Sequence, residues 1–67
     1  MNDWQIITDI PDWVLKQSKL IRNKYGGGSS WALNKVWYLN GRTFKYRLEF
    51  AGQGGNTLIV ATRLRGK

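Results

Sequence analysis

The sequence has no cysteine and no histidine among its 67 residues, and it has only four acidic residues. Without cysteine there is no disulfide framework and no thiolate metal site, and without histidine a frequent general base and metal ligand is missing. The few carboxylates leave little material for paired acid–base chemistry. These absences argue against an enzyme and against a bound cofactor or metal ion, so we expect a protein that binds a partner.

Long hydrophobic runs are also missing. The longest apolar stretch runs only from Leu58 to Ala61, whereas a membrane-spanning helix needs about 20 apolar residues. The opening residues have neither the basic nor the apolar region of a secretory signal. We therefore expect no membrane partner and a cytoplasmic location. Because a chain of this length is near the lower limit for one stable core, we expect a single domain over residues 1–67.

Negative charge is scarce and unevenly placed. Three of the four acids (Asp3, Asp9 and Asp12) fall in the first twelve residues, and from Trp13 onward eleven Lys and Arg residues are accompanied by one acid, Glu49. The net charge is +7. Such a density of positive charge attracts polyanions, and DNA or RNA is the partner that it favours most. The alternative is that the charge only keeps a small protein in solution.

A helix is predicted from about Ile10 to Tyr25. Asp9 is a suitable N-cap, and Pro11 suits the first turn because its missing N–H needs no partner there. Apolar residues recur at helical spacing and form one stripe. The residues Gly26 to Gly28 are expected to end the helix, since glycine adopts the left-handed C-cap conformation at low cost. The stripe consists of Ile10, Trp13, Val14, Ile21 and Tyr25.

A β-hairpin is predicted next, with strands from Ser30 to Leu39 and from Arg42 to Phe50. The Asn40-Gly41 pair between them is typical of a two-residue type I′ turn, in which both central residues have positive φ. This turn sets Leu39 opposite Arg42 and Trp37 opposite Phe44. The same register pairs Lys35 with Tyr46, Leu33 with Leu48, and Trp31 with Phe50 on one largely apolar side.

A third strand is predicted from about Thr57 to Arg65, after a glycine-rich connection. Leu58, Val60 and Leu64 alternate with Ile59, Ala61, Arg63 and Arg65, so the first set joins the apolar side. The predicted fold class is α+β, with an N-terminal helix packed on one face of a three-stranded antiparallel β-meander. A short extra strand using Trp4 and Ile6 is an option. Trp4 is otherwise expected to cover an end of the core.

The opposite face of the sheet is the predicted nucleic-acid-binding surface. Pairing Phe50 with Leu58 places Arg63 beside Lys45 and Arg65 beside Thr43, which gathers cations that can hold phosphates. Tyr38 adds a ring for base stacking or a hydroxyl for a phosphate. The candidate binding residues are Lys45, Arg47, Arg63, Arg65, Tyr38, Asn34, Arg42 and Lys67.

Two other functions are kept as alternatives. A three-stranded sheet has two open edges, so the chain could bind a protein or form a homodimer by strand addition. In addition, the run GRTFKYRLEF followed by NTLIVATRLRGK resembles the closing strands of bacterial RelE/ParE-type toxins. That resemblance implies a small ribonuclease acting through Arg, Lys and Tyr. Those toxins have a helical hairpin ahead of the sheet, however, whereas this sequence has room for one helix.

Overall fold

The computed structural model describes residues 3–28 and 31–66. Strand β1 is Gln5–Ile7 and helix α1 is Asp12–Tyr25, and they are followed by β2 (Val36–Asn40), β3 (Phe44–Ala51) and β4 (Thr57–Leu64). All strand pairs are antiparallel, in the order β1-β4-β3-β2. The α+β prediction is confirmed, and the optional N-terminal strand is present as β1. Ser30 and Lys67 lie outside the described residues.

Helix α1 begins two residues later than predicted. The residue before a proline is pushed towards extended backbone, so Ile10 is a poor helix starter. Pro11 occupies the N-cap position (φ −58°, ψ 147°), and no side chain caps the helix. The carbonyl of Pro11 accepts hydrogen bonds from the N–H groups of Val14 and Leu15, both at 3.1 Å. The prediction that Asp9 is the N-cap was wrong.

Helix α1 ends before Gly26, where the last helical turn leaves no room for a side chain. Gly26 is extended (φ −66°, ψ 156°) and is not in the predicted left-handed conformation. Its N–H donates to the carbonyl of Arg22 at 2.8 Å. A Cβ atom on Gly26 would lie 2.5 Å from that same carbonyl oxygen. Glycine is therefore needed here because any side chain would collide with the last turn of the helix.

The core lies between α1 and one face of the sheet, the inner face. Val14, Leu48 and Val60 are at most 1% exposed, and Tyr46 joins them. The Trp13 ring meets Tyr46 edge-on, with centroids 5.4 Å apart. Further apolar side chains are partly buried around this centre, namely Ile7, Ile10, Ile21, Trp37, Leu39 and Leu58.

The β2–β3 hairpin has a different register from the predicted one. Leu39 pairs with Tyr46 and Trp37 pairs with Leu48. The N–H of Gly41 donates to the carbonyl of Phe44 at 2.9 Å, so the residues 42–43 form the tip in place of Asn40-Gly41. Residues 31–34, predicted to begin the first strand, form turns instead. The Trp31, Leu33 and Lys35 pairings were therefore wrong.

Packing of Gly41 explains the shift of the turn. Neither Asn40 nor Gly41 has the positive φ that a type I′ turn requires. A Cβ on Gly41 would lie 3.0 Å from the Tyr46 ring and 3.2 Å from the Trp13 ring. The glycine thus lets two aromatic rings approach the backbone, and the burial of Tyr46 together with its edge-on contact with Trp13 outweighs the turn preference of Asn-Gly.

The β3–β4 register agrees with the prediction. Phe50 pairs with Leu58 and Lys45 pairs with Arg63, and the N–H of Arg65 donates to the carbonyl of Thr43 at 3.0 Å. Leu64 pairs with Phe44 on the predicted apolar side, but it lies at the end of β4 and is 65% exposed. The connection between the strands contains a short 3₁₀ turn, Gln53–Gly55, and Arg22 of α1 donates from Nη2 to the carbonyl of Gly55 at 2.8 Å.

Candidate nucleic-acid interface

The outer face is the side of the sheet that points away from α1. Tyr38, Lys45, Arg47 and Arg63 all lie on it, because Tyr38 pairs with Arg47 and Lys45 pairs with Arg63. The four side chains therefore share one face, as the alternation of the strands predicts. Their partners differ, however, and these partners divide the predicted surface into three parts.

The first part is an open notch near the β2–β3 turn, which we call the hairpin notch. It has a volume of about 290 Å³ and is lined by Asn40, Lys45, Arg65 and Gly66. Nη1 of Arg65 donates to the carbonyl of Gly41 at 2.9 Å, so the guanidinium is held against the turn. Neither Lys45 nor Arg65 forms an ion pair within residues 3–28 and 31–66. The notch thus combines two cations with one side-chain amide.

The second part consists of arginines with acidic partners. Nη1 of Arg47 lies 3.1 Å from Oε1 of Glu49, and Nη2 of Arg63 lies 3.4 Å from Oδ2 of Asp3. The Arg47 and Arg63 side chains are 30% and 39% exposed. The carboxylates of Glu49 and Asp3 therefore offset two of the four cations of the predicted patch.

The third part is an aromatic pair formed by Trp4 and Tyr38. Their ring centroids are 5.8 Å apart with an interplanar angle of 43°, and Cζ of Arg63 lies 5.6 Å from the Trp4 centroid. Tyr38 is 57% exposed. Trp4 precedes the edge strand β1 and Tyr38 lies on the opposite edge strand β2, so the two rings meet across the outer face.

A small residue in the middle of the sheet accommodates this arrangement. Ala61 pairs with Ile6 on one side and with Arg47 on the other, and it is 3% exposed although it belongs to the outer face. The expectation that Trp4 covers an end of the core was wrong. Its position follows from β1, because Trp4 continues the alternation that places Ile6 on the outer face. The sequence alone did not reveal that β1 pairs with β4, and this pairing is what places Trp4 on the outer face.

Two further residues of the predicted binding surface do not line the hairpin notch: Asn34 lies away from it, and Arg42 lies beside it. Asn34 has a left-handed φ of 60° in the turn before β2, and it lines a separate groove of about 460 Å³ with Lys35, Arg47 and Glu49. Arg42 is exposed at the tip of the hairpin, next to the Gly41 carbonyl that Arg65 contacts. The structure therefore brings Lys45 and Arg65 together, adds Asn40 to them, and leaves Asn34 apart.

Comparison with known proteins adds no relative. No protein-family model matches the chain, and neither curated proteins nor solved structures give a significant match. Among residues 3–28 and 31–66, no group of three or more acidic, histidine or cysteine side chains is placed to hold a metal ion. No helix in the same ranges is long and apolar enough to cross a membrane.

Proposed function

We propose that this protein binds nucleic acid, that the hairpin notch holds a backbone phosphate, and that binding involves no catalysis. The observation that carries the proposal is the juxtaposition of Lys45 and Arg65 in one open notch. Neither has an acidic partner in the part of the chain that the structure describes. A cytoplasmic location, where DNA and RNA are accessible, is part of the proposal.

The chemistry of the notch suits a phosphate. Arg65 uses Nη1 for the Gly41 carbonyl, and its remaining N–H groups are available to a phosphate oxygen. The Lys45 ammonium supplies a second positive charge, and the Asn40 amide supplies a neutral donor. Because the contact with Gly41 already restrains the guanidinium, less conformational entropy is lost when the phosphate binds.

Neighbouring charge strengthens the attraction. Arg63 is the direct partner of Lys45 in the sheet, and Arg42 lies at the hairpin tip. Lys67, two residues beyond Arg65 in the sequence, adds one more positive charge to this end of the chain. Among the described residues, Asp3 pairs with Arg63 and no acid pairs with Arg42, Lys45 or Arg65, so an excess of positive charge remains to attract a polyanion.

The test is a binding titration of DNA and RNA oligonucleotides, followed by fluorescence anisotropy over a range of salt concentrations. The wild-type affinity should fall as salt rises, with a log–log slope of about 0.9 per phosphate contacted on duplex DNA. The double variant Lys45→Gln/Arg65→Gln should bind at least about tenfold more weakly and lower the slope by about 0.9, the value for one lost phosphate contact.

The matched control is Lys16→Gln/Lys19→Gln, which removes the same charge from exposed positions of α1. It should lose much less affinity. Equal losses of affinity in the two double variants would show that bulk charge alone attracts the ligand. That result would refute the assignment of the hairpin notch as the phosphate site. The RNA should also remain intact after incubation, since cleaved RNA would favour the ribonuclease alternative.

A second candidate function is homodimer formation through β2. This edge strand, Val36–Asn40, contains no charged residue and no proline, the devices that usually protect exposed edges from pairing. Two copies could join their β2 strands antiparallel and continue the sheet. Sedimentation at increasing protein concentration should then show a dimer, whereas a monomer at every concentration would rule this candidate out.

A further inference from the structure

We infer that the nucleic acid bound by this protein is single-stranded and that an unpaired base stacks on Tyr38, which Trp4 supports from the side. This inference rests on the proposed function and specifies its ligand. It follows from three observations on the outer face: the exposure of Tyr38, the contact of Trp4 with Tyr38, and the short distance along β2 from Tyr38 to the hairpin notch.

The first observation is that Tyr38 presents a large aromatic surface to solvent. Its side chain is 57% exposed, although it lies on a strand of the sheet and not in a loop. Its backbone is held in register opposite Arg47. A ring on a rigid strand that is open to solvent is the usual platform for a base in proteins that bind single strands, because every base offers a flat π-face.

The second observation is that Trp4 holds this platform in place. The indole approaches Tyr38 with a centroid distance of 5.8 Å, while the Arg63 guanidinium lies 5.6 Å from the indole centroid. The phenol ring is therefore supported on one side by another ring, and that ring is itself in contact with a cation. Such support restricts the rotamers of Tyr38 before the ligand arrives, which lowers the entropic cost of stacking.

The third observation is the spacing between ring and notch. Tyr38 and Asn40 lie on the same face of β2, two residues apart, which is about 7 Å along the strand. A phosphate beside Asn40 and a base on Tyr38 can therefore belong to the same short stretch of one chain. A duplex cannot use this arrangement without opening, because its bases are paired and stacked inside while its phosphates lie outside.

The experiment compares single-stranded DNA, single-stranded RNA and duplex DNA of equal length at one low salt concentration. Wild-type protein should bind at least one of the single strands more tightly than the duplex. Comparison of single-stranded DNA with single-stranded RNA shows which of the two is preferred. Tyr38→Leu should weaken single-strand binding about fivefold to hundredfold, the range for loss of one stacked base, and should leave duplex binding unchanged.

Two further variants serve as controls. Tyr25→Leu removes a tyrosine of similar exposure, 47%, from the end of α1, and it should not affect binding. Tyr38→Phe keeps the ring and loses only the hydroxyl, so it should bind like the wild type, which separates stacking from a hydroxyl contact with a phosphate. Circular dichroism of each variant checks the fold directly.

The outcomes distinguish this inference from the proposal on which it rests. Equal or tighter binding of the duplex, or wild-type binding of single strands by Tyr38→Leu, would overturn the inference alone. If neither single strands nor duplex bind at low salt, the proposed function and this inference are both wrong.

Discussion

Lys45 of β3 and Arg63 of β4 are direct partners in the sheet, so an ammonium and a guanidinium share the outer face beside the hairpin notch. Arg63 is paired with Asp3 at 3.4 Å, whereas Lys45 has no acidic partner among the described side chains. Opposed like charges destabilise an antiparallel pair. A bound phosphate would relieve this repulsion, which links the stability of the free protein to its affinity for an anion.

Lys45→Glu should therefore stabilise the protein and weaken binding at the same time. The new carboxylate would face Arg63 across the strands and raise the free energy of unfolding by about 0.2–1 kcal/mol. Affinity for nucleic acid should fall at least about tenfold, because the notch loses a cation and gains an anion. Urea unfolding and anisotropy titrations measure the two effects. Lys19→Glu, an equal charge change on exposed helix surface, should weaken binding less; a destabilised Lys45→Glu variant would contradict the argument.

Asp3→Asn should strengthen binding. The Asp3 carboxylate offsets the charge of Arg63, and an ion pair at a surface is worth about 0–1 kcal/mol. Freeing the guanidinium should raise affinity at low salt by up to about fivefold. Asp9→Asn makes the same charge change at an exposed residue that pairs with no cation in the described chain, and it should raise affinity less. Equal gains in both variants would assign the effect to net charge.

Gly41→Ala should destabilise the fold. The added methyl group would lie 3.0 Å from the Phe44 carbonyl oxygen and 3.0 Å from the Tyr46 ring. Overpacking of this kind costs about 1–3 kcal/mol. Gly28→Ala is the control, because a Cβ there meets nothing within 4 Å, and its effect should stay within about 0.5 kcal/mol. Chemical unfolding of both variants is the measurement, and similar midpoints would refute the role given to Gly41.

Leu48→Ala should remove a large share of the total stability. Leu48 is fully buried between the sheet and α1, and truncation of such a side chain costs about 2–5 kcal/mol. A small domain has only about 5–15 kcal/mol in total. Leu64→Ala makes the same chemical change at a site that is 65% exposed, so its unfolding free energy should change by no more than about 0.5 kcal/mol. A comparable loss at Leu64 would mean that the core is misplaced.

The hairpin shows how far alternation alone can predict this fold. The predicted turn was two residues too early, yet Trp37 and Leu39 point inward and Tyr38 points outward as expected. The reason is that a shift by an even number of residues keeps every side chain on its face. The β3–β4 register was predicted correctly because Phe50 and Leu58 are apolar residues close to the strand ends that the glycine-rich connection joins.

The candidate site was harder to predict, because it depends on contacts between distant parts of the chain. Asp3 and Trp4 reach Arg63 at the other end of the sequence, and no periodicity within either segment indicates that contact. Asn40 was assigned to a turn, and its place in the hairpin notch beside Lys45 and Arg65 emerged only with the observed register.

The sequence by itself determined the α+β class, the assignment of side chains to the two faces of the sheet, and the excess of positive charge after Trp13. These properties follow from local periodicity and composition, which need no knowledge of distant contacts. Only the tertiary structure decided which cations are neutralised and which remain open to a ligand. Pairing of β1 with β4 brings the Asp3 carboxylate and the Trp4 indole beside the Arg63 guanidinium. The long-range packing that selects this pairing is not encoded in any single segment.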